Sequence, residues 1–85
     1  MSEVVIYTSN LCPYCIMAKR LLDKKSTPYT ELNIDSNTDL KAEMMQRTLR
    51  RTVPQIFIGD QHVGGFAELY ALDVQNELDA LLINT

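Results

Sequence analysis

A small α/β sandwich with a mixed sheet, its elements in the order β-α-β-α-β-β-α, is the fold this sequence predicts. Three observations predict it. Val4-Val5-Ile6-Tyr7 is a continuous apolar, largely β-branched run, as in a strand covered on both faces. Helix-like and strand-like stretches then alternate, the signature of an α/β arrangement. Farther on, Gln55-Ile56-Phe57-Ile58 and His62-Val63 flank Gly59-Asp60 as the arms of a hairpin flank its turn.

The first strand, Val4 to Tyr7, is expected at the centre of the sheet. A helix follows from Pro13 to about Lys25. Its apolar stripe is read as Ile16, Met17, Leu21 and Leu22, with Lys19, Asp23 and Lys24 facing water. Pro13 takes the first helical position, where no N–H partner is needed. Pro28 restarts the chain in extended form, and Thr30, Leu32 and Ile34 alternate with Glu31 and Asn33 as a strand exposed on one face. Strand, helix and strand in this order imply a right-handed parallel crossover. Ser36 with Asp39 three residues on signals the next helix start. Leu40, Ala42, Met44 and Met45 carry that helix to about Thr48, the methionines reading as core filler. In the hairpin, Gly59 takes a turn conformation that other residues resist. Gly64-Gly65 ends its second strand. The last helical region starts near Ala67 and carries Leu69, Leu72, Val74, Leu78, Leu81 and Leu82, with Asp73 a candidate cap for a fresh start inside it.

Eighty-five residues are expected to form one domain, 1–85, with a small core. Apolar residues at 46% and charged residues at 22% argue against disorder. A net charge of -3 leaves no basic footprint, so nucleic acid is not expected as a partner. Arg47, Arg50 and Arg51 read as cations at the negative pole of a helix, the other reading being recognition of an anionic ligand. No cationic start leads into an apolar segment, and no run approaches the ~20 residues of a membrane helix. The chain is therefore read as soluble, unexported and cytoplasmic, without a membrane partner, and it is expected to be a monomer.

The two cysteines stand in Cys12-Pro13-Tyr14-Cys15, where a strand hands over to a helix. That place puts the first sulfur beside unpaired backbone N–H groups and the positive end of the helix dipole, which favours thiolate over thiol. In an unexported domain such a pair is catalytic, redox-active or metal-binding before it is a brace. A disulfide across so short a loop would add little stability. Two thiolates at this spacing also make half of a zinc or iron-sulfur site. The other half is missing, since His62, the only histidine, lies in the hairpin as a strand residue, and no metal is expected. Thiol-disulfide exchange needs only what is present: Cys12 attacks, and Cys15, one turn inside the helix, resolves. Thr8-Ser9-Asn10-Leu11 places no cation just before Cys12.

From about Val4 to Leu82 the chain resembles the dithiol glutaredoxins of the small bacterial type. The resemblance rests on Cys12-Pro13-Tyr14-Cys15, then Thr52-Val53-Pro54, then Gly64-Gly65, in the family's order. It implies a thioredoxin-like sandwich, a four-stranded mixed sheet flanked by helices, with Pro54 in a cis bond facing the cysteines. That bond would turn the backbone so that Val53 offers N–H and C=O to an extended ligand. The implied activity is glutathione-dependent thiol-disulfide exchange that reduces protein disulfides and glutathionylated thiols. Glutathione is the implied co-substrate, with no tightly bound cofactor, and the partners would be disulfide-bearing or glutathionylated proteins.

For glutathione the resemblance places Cys12 on its sulfur, Val53 on its cysteinyl part, Tyr14 along the groove, and Thr52 and Pro54 in the same loop. The N–H groups of Phe66 and Ala67, following Gly65, would hold the γ-glutamyl carboxylate at a helix start. Gln46 or Arg47 would reach the glycyl carboxylate. Ser9 stands where many family members have Lys, and Ala67 where they have an acidic or hydroxyl residue, leaving Glu68 as the nearest partner for the ligand's ammonium. Each lost contact is worth ~1 to 3 kcal/mol where poorly solvated and less where exposed. Leu49 stands where family members often have Gly. Two further readings of the cysteine pair stay open. One is an iron-sulfur cluster carrier in which two chains and two glutathiones share a cluster, against which Pro13 counts. The other is a redoxin reduced by a flavoprotein.

Overall fold

The computed structural model describes residues 2–83. The strands are β1 at Val4–Thr8, β2 at Thr30–Asn33, β3 at Gln55–Ile58 and β4 at Gln61–Gly64. The helices are α1 at Pro13–Lys24, α2 at Thr38–Thr48, α3 at Phe66–Val74 and α4 at Leu78–Ile83. The four strands form a single mixed sheet in the order β2-β1-β3-β4, so β1 is central as expected. It runs parallel to β2, with Val5 beside Thr30, and antiparallel to β3, with Ile6 beside Ile56. At the far end of the sheet the Gly59 N–H donates to the Glu3 carbonyl (2.7 Å), tying the β3-β4 turn to the start of β1. Gly59 takes a left-handed φ of 60° there.

Alternation along the strands sorts the core into two layers. Val4, Ile6, Ile56 and Ile58 meet Ala18 and Leu22 of α1, Leu69 of α3 and Leu78 and Leu82 of α4 on one face. On the other, Tyr7 and Phe57 pack with Ile34 and with Met44 of α2. Among the described residues, no helix is long and apolar enough to cross a membrane.

Three local expectations are corrected. The buried stripe of α1 is Cys15, Ala18 and Leu22, while Ile16 and Met17 are 46% and 43% exposed. With Cys15 facing inward, spacings of three and seven residues complete its stripe, and the next two positions turn away at ~100° per residue. The cap of α2 is Asn37, whose Oδ1 accepts from the Asp39 N–H (2.9 Å), not Ser36. The last helical region does break, but Asp73 is not its cap. Its carboxylate is held by Lys25 Nζ (2.7 Å), and the turn between α3 and α4 is made by Asn76 at a φ of 60°.

Candidate active site

Two helix starts and one loop converge beyond the C-terminal end of β1. Beyond β1 the chain passes through Leu11, which is 99% exposed at a φ of 53°, into Cys12. Cys12 is the N-cap of α1, with extended backbone, and Pro13 opens the helix. The Cys15 N–H donates to Cys12 Sγ (3.1 Å), so this sulfur accepts one of the helix's unpaired donors. Cys12 and Cys15 are joined as a disulfide, with Cα atoms 5.2 Å apart. Cys12 is half-buried, whereas Cys15 is 1% exposed beneath it. The more accessible sulfur sits at the helix terminus, and the second lies one turn inside. Among the described residues, no group of three or more His, Cys, Asp and Glu gathers as a metal site.

Opposite the cysteines lies the Thr52-Val53-Pro54 loop, in which the Val53–Pro54 peptide is cis. The Val53 carbonyl is 3.9 Å from Cys12 Sγ. From here a groove of about 340 Å³ extends between the loop and the start of α3, lined by Tyr14, Arg50, Thr52, Val53, Pro54, Gln55, Gly65, Phe66, Ala67 and Glu68. Tyr14, Thr52, Val53, Pro54, Gly65, Phe66 and Ala67, all named from the sequence, thus share one groove, with Cys12 at its edge. Tyr14 stacks on Phe66 (centroids 6.3 Å apart), giving the groove an aromatic wall, and Phe66 stacks in turn on Tyr70 (5.7 Å) outside the lining.

Arg50, Gln55 and Glu68 give the groove its polar character. The Glu68 carboxylate accepts from the Gly65 N–H (2.8 Å) and pairs with the Arg50 guanidinium (3.1 Å). The Gly65 hydrogen bond, opposed by burial and aided by Arg50, holds the Glu68 carboxyl below its ordinary range. Gly64, at a φ of 121°, is needed here for a second reason, because a Cβ would run into the Glu68 side chain. Gln46 and Arg47 lie outside the lining. Arg47 donates to the Tyr7 hydroxyl (2.8 Å) and spreads over the Phe57 ring at 3.9 Å. Of the three arginines read from the sequence as helix-end cations or as recognisers of an anionic ligand, Arg50 is the one that lines the groove. Gln55 read only as a strand residue.

A family model described as Glutaredoxin matches residues 4–63. Glutaredoxin 3 of Escherichia coli (strain K12) is 52% identical over 82 residues, spanning 96% of this chain and 99% of that protein. The solution structure of Glutaredoxin from Brucella melitensis superposes with a TM-score of 0.85 at 49% identity, covering 96% of this chain and 89% of that one. The crystal structure of a buckwheat glutaredoxin-glutathione complex gives a TM-score of 0.88 at 30% identity, covering 95% and 76%.

Proposed function

The chain belongs to the glutaredoxin family and is a thiol-disulfide oxidoreductase, and from that premise we propose that it draws its electrons from glutathione, with Cys12 as nucleophile and Cys15 as resolving cysteine. The observation that carries the reading is the Cys12 sulfur itself, capping α1 at the edge of a peptide-sized groove. The solved buckwheat relative in complex with glutathione supports the choice of ligand.

In deglutathionylation the Cys12 thiolate forms a bond to the glutathionyl sulfur as that sulfur's bond to the substrate protein breaks. The substrate leaves as thiolate and takes a proton. A second glutathione thiolate then attacks the mixed disulfide, releasing oxidised glutathione and the Cys12 thiolate. With a protein disulfide, the Cys12 thiolate bonds to one sulfur as the other leaves as thiolate and takes a proton, and Cys15 then attacks the Cys12 sulfur of this mixed disulfide, freeing the reduced substrate and leaving the Cys12-Cys15 disulfide. Two glutathiones restore the dithiol. In the groove, Val53 offers its backbone to the cysteinyl part of the ligand, and Phe66 and Ala67 offer N–H groups to the γ-glutamyl carboxylate. Arg50 and Glu68, paired with each other, exchange partners with the ligand's carboxylate and ammonium. The chain acts as a single monomeric domain.

The test compares Cys12→Ser and Cys15→Ser on a glutathionylated peptide, coupled to glutathione reductase. Cys15→Ser is expected to retain turnover and Cys12→Ser to lose it. Appreciable turnover by Cys12→Ser would overturn the assignment. Recovery of the oxidised protein with thioredoxin reductase and NADPH, but not with glutathione, would assign a flavoprotein donor instead.

A further inference from the structure

His62 does not line the groove, yet a chain of hydrogen bonds runs from it to the loop that does. Gln55, 1% exposed, donates through Nε2 to the Thr52 carbonyl (3.0 Å) and to Thr52 Oγ1 (3.2 Å). Its Oε1 lies 2.8 Å from His62 Nε2. The direction of every bond is forced. A backbone carbonyl only accepts, so the amide nitrogen must face Thr52 and the amide oxygen must face His62. That oxygen also only accepts, so the imidazole proton must sit on Nε2. The ring is held for this task, stacked on Phe57 with centroids 5.0 Å apart, while Arg47 also lies against the Phe57 ring.

We propose that His62 is a positioning residue for glutathione, fixing the Gln55 amide so that it holds Thr52 and, with it, the Val53 backbone at the angle the ligand needs. The inference rests on the glutathione reading above. Only a flat side chain with a donor on its rim satisfies both demands, the stack on Phe57 and the N–H toward Gln55. Phenylalanine at this position keeps the first and removes the second. The Gln55 oxygen then has no partner in a buried setting, the amide turns in search of one, and Thr52 loses its anchor. The groups that act on sulfur, Cys12 capped by the Cys15 N–H and Cys15 itself, belong to α1 and lie outside this chain of hydrogen bonds. Loop misplacement therefore shows as weaker binding of the glutathione half of the substrate, not as a slower exchange step.

The experiment measures turnover of a glutathionylated peptide by wild type, His62→Phe and His62→Gln. In His62→Phe the KM for the peptide is expected to rise by about threefold or more with kcat kept within about twofold, and His62→Gln, which restores an N–H, to recover part of the loss. A smaller KM rise, a larger kcat loss or no recovery in His62→Gln overturns the relay. Wild-type protein that fails to turn over the peptide at all overturns the glutathione reading and the relay with it, so the two failures are distinct. If His62→Phe does not fold, long-range 15N–1H correlation spectra decide on protein with His62 intact. A proton on Nε2, and ring signals that shift when Cys12 of the Cys15→Ser protein is glutathionylated, support the relay. A proton on Nδ1, or unmoved ring signals, overturns it.

Discussion

Replacing Glu68 with Ala and with Gln separates two roles that meet on one carboxylate. Glu68→Ala removes the acceptor of the Gly65 N–H (2.8 Å), half of a capping arrangement at the start of α3, and breaks the pair with Arg50 (3.1 Å). The Arg50 and Glu68 side chains are 49% and 45% exposed, so the ion pair contributes only ~0.2 to 1 kcal/mol. The capping bond, charge-assisted but partly solvated, contributes ~1 kcal/mol. Their sum is ~1 to 2 kcal/mol, which lowers the Tm of a domain this size by roughly 5 to 15 °C. Glu68→Gln keeps an oxygen for the Gly65 N–H and loses the charge, so its drop is expected to be less than half as large. Thermal unfolding followed by circular dichroism measures both. Salt weakens the ion pair more than the cap, so the gap between the variants persists at high ionic strength. A Gln variant as unstable as the Ala variant, or a gap that vanishes in salt, refutes the assignment of the larger role to the cap.

Leu49 ends α2 at a φ of 59° with its side chain 90% exposed, so Leu49→Gly relieves left-handed strain while giving up little apolar burial. It is expected to raise stability by ~0.5 to 1 kcal/mol and Tm by a few degrees, with no such gain in Leu49→Ala. The pH dependence has two windows. Burial, then the Arg50 charge, push His62 below its ordinary value of 6.5. Both states are neutral above that value, and as pH falls through it the unfolded chain takes the proton first, so stability declines on acidification. Glu31, through its Thr8 hydrogen bond, and Glu68, through its Gly65 hydrogen bond, are held below 4.5, and the stability they contribute is full above that value and lost as pH falls further. Urea unfolding from neutral pH to about pH 3 checks the order. His62→Phe should lose the upper window alone, and stability that rises on acidification from neutral pH contradicts the account.

The order of elements was legible because each kind carries its own pattern: a continuous β-branched run for β1, alternation for β2, a glycine turn between apolar arms for β3 and β4, and three- and four-residue spacing for the helices. The groove was legible because its loop and glycine pair are motifs. What escaped depends on tertiary placement. Ile16 and Met17 are as apolar as the residues beneath them, and only the inward turn of Cys15 decides which stripe is buried. Ser36 and Asn37 are both good caps, and the chain's path selects the second. Arg50 and Glu68 stand 18 positions apart, so no local pattern announces that they meet across a groove. Leucine rarely takes the conformation that Leu49 adopts, which makes the helix end at that residue hard to foresee.

The bond from the Gly59 N–H to the Glu3 carbonyl closes the sheet at the end opposite Cys12, with the five residues of β1, roughly 16 Å of strand, between them. The protein thus has a working end and a handle. Asp60, exposed in the turn beside Gly59, contributes nothing to the groove. A fluorophore, fusion partner or solid support attached at Asp60 approaches from behind, and Cys12 is left facing outward toward whatever disulfide is presented to it.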